Sequence, residues 1–245
     1  MKFVTTLDPA DIQAVQTLVQ EMNDHPFVQS RITRNINPVL PNVNPTEMWQ
    51  AMLMCLITTR NKSGYGSAVD NFLCEKPFRL ALETCRNTPK PMSLIENALS
   101  SLRIQRWKIS ADFAFKNLNA LENGGWKSLE IWRDCLYQQR FSTASAEHYQ
   151  LERQAARAAQ KLLIGLGPKQ SRNFWQELGL FRFETPIDAR VVKWFSNTFG
   201  LYISVSGLSD ELYYCQVMDV IRELCEQAGV LPCLLDATIF ASFEK

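Results

Sequence analysis

The stretch from residue 161 to 179, KLLIGLGPKQSRNFWQELG, contains two glycines one residue apart, followed by a proline and a lysine. Glycine can adopt positive φ and lets other groups approach the backbone closely, so Gly165 and Gly167 predict a tight turn that ends one helix. Pro168 suits the first position of a new helix, where its missing N–H costs no hydrogen bond. The stretch therefore predicts a helical hairpin, whose outward-facing N–H groups can hold an anion such as a DNA phosphate.

Lys169 lies in the first turn of the second helix of this hairpin. A positive charge there opposes the helix dipole, at a cost of about 0.3–1 kcal/mol. Two interpretations are open. The lysine contacts phosphate or solvent, or it is an amine that the dipole and burial keep partly neutral, able to attack carbon. Nineteen residues further on, in ETPIDARVVKWF, Asp188 occupies a helix N-cap position. Because Asp is a preferred N-cap, this position alone requires no chemistry.

Helical patterns also dominate the rest of the chain. Apolar periodicity and capping signals predict helices over residues 9–22, 26–36, 46–60, 67–73, 93–102, 108–121, 129–138, 147–164, 169–177, 189–199, 210–228 and 233–240. Only LYISVSG at 201–207 alternates as a strand does. The sequence therefore predicts the all-α class.

Composition restricts the class of protein further. The 245 residues are 46% hydrophobic, enough for one globular unit or for two lobes that share a core. No apolar run approaches the roughly 18 residues of a membrane span, and the first residues lack a secretory signal. The seven cysteines are an odd number without a CxxC pair, which is typical of free thiols in a reducing compartment. We therefore expect a cytoplasmic protein with no membrane partner.

The net charge of +1 hides an uneven distribution. Residues 101–173 contain twelve Lys/Arg and six Asp/Glu, whereas residues 201–245 contain two and seven. A basic segment of this kind indicates either a face that binds a polyanion or an ordinary solvated helix surface.

Taken together, IGLGPKQSRNFWQELG at 164–179 and PIDARVVKWF at 186–195 resemble the helix-hairpin-helix (HhH-GPD) DNA glycosylases. The similarity is greatest to the archaeal-type, or type-2, 8-oxoguanine DNA glycosylase/AP lyases. Less specific matches lie at PFVQSRITRNI (26–36), MLMCLITTRNKSGYGSAVDNF (52–72), RIQRWKISADFAFKNL (103–118) and VLPCLLDATIF (230–240), in the family's order. The resemblance covers roughly residues 26–245.

This resemblance implies a single two-lobed, all-helical glycosylase unit over residues 1–245, with the active-site cleft between the lobes. The central lobe would comprise 46–164, with the hairpin at 161–177. The terminal lobe would comprise 1–45 and 189–245. The resemblance also implies a monomer that binds damaged double-stranded DNA. It implies no required cofactor, although the hairpin carbonyls of this family can hold a monovalent cation.

The functional residues follow from the same resemblance. Lys169 matches the nucleophile and Asp188 the essential carboxylate, while Gly165 and Gly167 match the phosphate-binding hairpin. The implied activity is that of a bifunctional DNA glycosylase/AP lyase that excises an oxidised purine, with 8-oxoguanine as the expected base. Monofunctional relatives keep the aspartate and lack the lysine. Two alternatives stay open: a non-catalytic helix-hairpin-helix module that grips DNA, and a monofunctional glycosylase in which Lys169 only contacts phosphate.

Residues outside the hairpin are assigned by position. Arg60 and Asn61 are candidates to wedge into the duplex, and Arg106 and Lys108 to contact phosphates; an ordinary turn and a solvated surface are the alternatives. Arg190 stands where relatives carry histidine and is expected to take over a phosphate contact. The base pocket is assigned to the closing segment, with Asp236, with Phe240 in place of the family's tryptophan, and with Lys245.

No metal site is predicted. His25 and His148 are far apart in the sequence, and Cys215, Cys225 and Cys233 do not supply four closely spaced ligands for an iron–sulfur cluster.

Overall fold

The computed structural model describes residues 7–61, 64, 66–140 and 144–244. Its α-helices are α1 (Pro9–Met22), α2 (Pro26–Arg31), α3 (Pro45–Ile57), α4 (Ala68–Leu73), α5 (Leu82–Asn87), α6 (Pro91–Ser100), α7 (Trp107–Ala120), α8 (Trp126–Gln139), α9 (Ala146–Leu162), α10 (Pro168–Glu177), α11 (Ala189–Phe199), α12 (Glu211–Ala228) and α13 (Pro232–Ser242). Two π-helical turns, Ile32–Ile36 and Leu121–Gly125, and one 3-10 turn, Gly207–Ser209, complete the order. The described residues contain no strand, which confirms the predicted all-α class.

Capping explains where several helices begin. Before α1, the Asp8 side chain accepts hydrogen bonds from the N–H groups of Ala10 and Asp11, and the Asp11 side chain accepts one from the N–H of Asp8. Pro9 occupies the first helical position. Such a capping box satisfies N–H groups that have no partner within the helix. Proline also occupies the first position of α2, α3, α6, α10 and α13.

Two predictions differ from the structure. The predicted strand at 201–207 is wrong: this segment is an irregular turn that continues into the 3-10 helix. Its alternation reflects two side chains that pack on the core, Leu201 and Ile203, while Tyr202 and Val205 are exposed. Helix α5 was not predicted, because it is six residues long and its N-cap, Ala81, offers no side-chain hydrogen bond.

The chain divides into two compact units. We call Asn42–Cys135 with Arg157–Leu166 the central unit, and Met1–Pro41 with Leu136–Ala156 and Gly167–Lys245 the terminal unit. This division differs from the predicted lobes, because residues 136–156 and the second helix of the hairpin, α10, belong to the terminal unit. Three sets of hydrogen bonds attach residues 136–156 to the terminal unit. Arg140 donates to the backbone carbonyls of residues 34, 37 and 179, and Glu152 accepts from the N–H groups of residues 182–184. The carbonyl of Ala155 accepts from the indole N–H of Trp175.

Each unit has its own apolar core. In the central unit, α3 packs on α4, α5 and α7, and α6 packs on α5 and α7; Trp49 is fully buried there and donates its indole N–H to the carbonyl of Leu80 at 2.7 Å. In the terminal unit, α1, α11, α12 and α13 pack together around a cluster that includes Val15, Phe195 and Met218. Helix α2 packs on α13 through Val28 and Phe27.

Within the described residues no single helix is long and apolar enough to cross a membrane. Helices α12 and α13 together are, by length and composition alone, but they are bent by 96° at their junction.

Candidate active site

The turn after α9 contains two glycines, Gly165 and Gly167, and only the first position requires glycine. Gly165 has φ +92°, and a Cβ there would lie 2.4 Å from Cδ2 of Phe113 and 2.8 Å from Cδ2 of Leu56. The side chain of Asn117, which is fully buried, fixes the preceding residue, accepting from the N–H of Ile164 at 2.7 Å and donating to its carbonyl at 3.0 Å. Asn117 was not predicted, because an asparagine within a helix carries no turn signal.

The second glycine has a different role. Gly167 is the N-cap of α10 in an extended conformation, with φ −83° and ψ −172°, and no atom lies within 4 Å of a Cβ built on it. It therefore needs neither positive φ nor a close internal contact. Pro168 follows at the first helical position, and Lys169 lies half-buried in the first turn.

Asp188 lies where the sequence placed it, at the N-cap of α11. Its carboxylate accepts hydrogen bonds from the N–H groups of Arg190, at 2.8 Å, and Val191, at 3.2 Å. Its other oxygen is paired with the Arg190 guanidinium, at 2.9 Å from Nε and 2.5 Å from Nη2. Burial acts to raise the pKa of Asp188, but the hydrogen bond and charge of Arg190 and then the charge of Lys169 outweigh it and lower the pKa. The carboxylate is therefore held ionised.

A second carboxylate, Asp236 on α13, lies near the first. It accepts a hydrogen bond from Gln176 Nε2 at 3.0 Å, and Nη2 of Arg31 lies 3.8 Å away. Burial, and to a smaller extent the negative charge of Asp188, raise the pKa of Asp236 to about 6, against the opposing charge of Arg31. Lys169 acts in the lowering direction on both carboxylates. The terminal unit thus brings together one lysine and two aspartates whose environments shift their pKa values in opposite directions.

Two buried polar atoms beside Asp236 have no hydrogen-bond partner in the described part of the chain. They are Oε1 of Gln176 and Nε of Arg31, and the two side chains are 0% and 4% exposed. Buried polar groups are normally paired, so an open acceptor and an open donor on the two side chains that contact Asp236 are exceptions to this rule.

Arg190 and Phe240 contact each other. The Phe240 ring stacks on Phe27, with centroids 4.2 Å apart, and Cζ of Arg190 lies 3.9 Å from the Phe240 centroid. Arg190, predicted to contact phosphate, here neutralises Asp188 and covers an aromatic ring. Lys245, the third predicted pocket residue, lies outside the described residues.

The central unit brings most of the remaining candidates together. Asn61, the predicted wedge, instead links two turns: its Oδ1 accepts from the N–H of Gln105 at 2.8 Å, and its Nδ2 donates to the carbonyl of Ile57 at 2.8 Å. Exposed Arg60 and Arg106 lie on these two turns, with φ +63° and +60°. Lys108, also exposed, lies 5.5 Å from the Trp107 ring centroid.

One residue of this surface was not predicted, because left-handed backbone at an arginine has no sequence signature. Exposed Arg103 has φ +53°, and in the described part of the chain the non-glycine residues with positive φ are Arg60, Arg103 and Arg106. A cavity of about 30 Å³ lies beside Arg106, lined also by Thr59 and Gly165 among others. It has room for about one water molecule and not for a base.

Among the described residues, no group of three or more His, Cys, Asp or Glu side chains is placed to hold a metal ion. The seven cysteines all lie within the described residues, and none of them forms a disulfide.

The chain is similar to known proteins in its fold but not in its sequence. No protein-family model matches the chain, and no curated protein matches it by sequence. Among solved structures, the 8-oxoguanine DNA glycosylase of Thermotoga maritima matches with a TM-score of 0.67 at 13% identity, over 95% of this chain and 97% of that one. The enzyme of Methanocaldococcus jannaschii matches with a TM-score of 0.64 at 13% identity, over 95% and 94%. A structure of that glycosylase/lyase with a 15mer DNA containing 8-oxoguanine matches with a TM-score of 0.66 at 13% identity, over 93% and 95%. The chain therefore has the fold of these glycosylases, as the sequence motifs predicted.

Proposed function

We propose that this protein is a DNA glycosylase with AP lyase activity that removes an oxidised purine, with 8-oxoguanine as the first substrate to test. One observation carries the proposal: in a chain with this fold, Lys169 lies in the first turn after a glycine hairpin, within electrostatic reach of an ionised and a more readily protonated carboxylate. Pairs of carboxylates with divided pKa values are typical of acid–base sites.

The chemistry begins with a damaged nucleotide turned out of the helix stack. The neutral Nζ of Lys169 attacks C1′ of the deoxyribose, and the bond from C1′ to the base breaks, with its electron pair leaving on the base. Positive charge develops on the sugar ring in this step, and the carboxylate of Asp188 stabilises it. The departing base takes up a proton, and Nζ loses one.

The lyase step uses the covalent bond to Lys169. The sugar ring opens between C1′ and O4′, which leaves a Schiff base between Nζ and C1′. This iminium group makes a proton on C2′ acidic. Loss of that proton expels the 3′ phosphate as leaving group and nicks the strand 3′ of the lesion. A glycosylase without this lysine would stop at the abasic site.

Asp236, Gln176 and Arg31 supply the polar side of the proposed base pocket. With a pKa of about 6, Asp236 exchanges a proton near neutral pH, and Oε1 of Gln176 and Nε of Arg31 offer an open acceptor and donor. A purine edge carries both donors and acceptors, so it can satisfy this set. Phe240 adds an aromatic face.

Binding of duplex DNA is assigned to exposed basic residues of the central unit. Arg60, Arg103, Arg106 and Lys108 are exposed around the turns that Asn61 links. Such side chains contact phosphates without reading sequence, so binding should weaken as salt rises. We propose that the protein binds duplex DNA as a monomer.

Strand cleavage with and without alkali tests the proposal. A labelled duplex with one 8-oxoguanine, opposite each of the four bases in turn, is incubated with the protein and divided before treatment with hot alkali. We expect nicks without alkali, abolished in Lys169→Gln and Asp188→Asn and retained in Lys161→Gln, an exposed lysine at the end of α9.

Each alternative gives a different result. Nicks that appear only after alkali indicate a monofunctional glycosylase, an assignment that the pairing of Asp188 with Arg190 rather than with Lys169 would then explain. Salt-dependent binding without base release indicates a non-catalytic module. Equal cleavage by Lys169→Gln and the wild type would contradict the assigned nucleophile.

A further inference from the structure

A fully buried arginine lies one helical turn after Lys169. Arg172 is 0% exposed, and its guanidinium pairs with two carboxylates: Nε with Glu184 at 2.8 Å, and Nη1 and Nη2 with Glu211 at 3.0 and 2.9 Å. Nη1 also donates to the carbonyl of Pro168 at 3.0 Å. That carbonyl belongs to the peptide that joins Pro168 to Lys169, so Arg172 fixes the backbone from which the lysine side chain projects.

The same guanidinium is connected to the segment that precedes Asp188. Its partner Glu184 is 0% exposed and lies four residues before Asp188. The Cζ of Arg172 lies 4.4 Å from the ring centroid of Tyr214. The hydroxyl of Tyr214 donates to the carbonyl of Thr185 at 2.8 Å and accepts from the N–H of Ile187 at 2.6 Å. One continuous buried network therefore joins the peptide before Lys169 to the peptides before Asp188.

Stability alone does not account for this network. Taking charges out of water costs free energy, and apolar residues of similar volume often replace a buried ion pair without loss of stability. The network instead fixes the relative orientation of the groups it joins, because a guanidinium holds several acceptors at fixed angles. Pro168, Glu184 and Glu211 come from separate segments, and only a planar donor of this shape can reach all three from one position.

From this geometry we infer that Arg172, Glu184 and Tyr214 are positioning residues, which set the distance between Lys169 and Asp188. The inference rests on the proposed function. None of the three touches the reacting atoms, so their removal should slow the chemical step and leave DNA affinity unchanged. Displacement of a reacting group by about 1 Å can cost about a hundredfold in rate.

Two variants test this role, with a matched control. Arg172→Lys keeps the charge and loses the forked geometry, whereas Tyr214→Phe keeps the ring and loses the hydroxyl that bridges Thr185 and Ile187. The control is Arg140→Lys, since Arg140 is also buried in the terminal unit and also donates to backbone carbonyls, but at residues 34, 37 and 179. Thermal melting identifies the folded fraction, and Tyr214→Phe decides the test if Arg172→Lys does not fold.

The readout is the single-turnover rate of base excision from an 8-oxoguanine duplex as a function of protein concentration. We expect the maximal rate to fall by at least about tenfold in Arg172→Lys and Tyr214→Phe, while the half-saturating concentration changes less than about twofold and Arg140→Lys matches the wild type.

The other outcomes count against the inference. A maximal rate within about twofold of an active wild type, a loss confined to half-saturation, or an equal loss in Arg140→Lys would overturn the positioning role and leave the proposed function standing. A wild type that excises no base would overturn both.

Discussion

The same substitution should strongly destabilise the protein at one hairpin glycine and leave its stability nearly unchanged at the other. In Gly165→Ala, the new Cβ must occupy left-handed backbone at φ +92° and lie 2.4 Å from a ring carbon of Phe113. The left-handed conformation costs a non-glycine residue about 1–2 kcal/mol, and an overpacked contact adds about 1–3 kcal/mol. We expect Gly165→Ala to lower the free energy of unfolding by about 2–5 kcal/mol.

Gly167→Ala is the matched control. Its backbone is extended, at φ −83°, and the space around the new Cβ is open. Alanine is a poorer N-cap than glycine, which costs about 0.5–1 kcal/mol, and it restricts the unfolded chain, which contributes about 0.4–1 kcal/mol in the opposite sense. The expected change in the free energy of unfolding is therefore within about 0.5 kcal/mol of zero.

Urea denaturation followed by circular dichroism measures both variants against the wild type. Equal losses at the two positions, or no loss in Gly165→Ala, would refute the argument from backbone conformation. DNA binding is measured in parallel. Neither the backbone conformation nor the packing requires glycine at position 167. If the Gly167→Ala variant is stable but binds DNA more weakly, the glycine is needed because a phosphate approaches the backbone closely there.

Three further predictions concern the aspartates and the predicted wedge. Because the pKa of Asp236 is raised to about 6 from 3.8, the folded state keeps this proton longer than the unfolded state, and wild-type stability falls as pH rises through that interval. Asp236→Asn should therefore gain up to about 3 kcal/mol in free energy of unfolding relative to wild type between about pH 4 and pH 7, and a constant difference in urea denaturation would contradict this. Arg190→Gln should raise the pKa of Asp188, so the acid limb of the excision rate, measured against pH, moves to higher pH; an unmoved limb would show that Arg190 does not hold the carboxylate ionised. Asn61→Ala should lower the free energy of unfolding by about 0.5–1.5 kcal/mol, since it removes the hydrogen bond to the exposed N–H of Gln105, and a change in base excision without a change in stability would favour Asn61 as a wedge.

The sequence predicted the local elements of the fold well. Proline at the first position of a helix, Asp8 and Asp188 at N-caps, and glycine at 165 each have a local physical cause, and the structure has the expected feature at each place. The strand predicted at 201–207 failed because alternation of apolar residues does not reveal whether a partner strand exists.

Relations between distant residues could not be predicted in the same way. Arg190 was expected to contact phosphate because relatives carry histidine at this position. Its sequence neighbours do not indicate Phe240, fifty residues away, whose ring it covers. Asp236 could be named but its raised pKa could not, because burial and the charge of Asp188 follow from tertiary packing. Arg172 reads from sequence as one more basic residue of a surface helix, and only the folded chain places it among buried carboxylates.

Reduction with borohydride tests the central claim most directly, because it converts a Schiff base between protein and sugar into a stable covalent bond. The protein is incubated with an 8-oxoguanine duplex in the presence of borohydride, and the product is separated on a denaturing gel. We expect a trapped protein–DNA band from the wild type and from Lys161→Gln, and none from Lys169→Gln, with the modified residue identified as Lys169 by mass spectrometry. No band from the wild type, or a band of equal yield from Lys169→Gln, would contradict the assignment of Lys169 as the nucleophile.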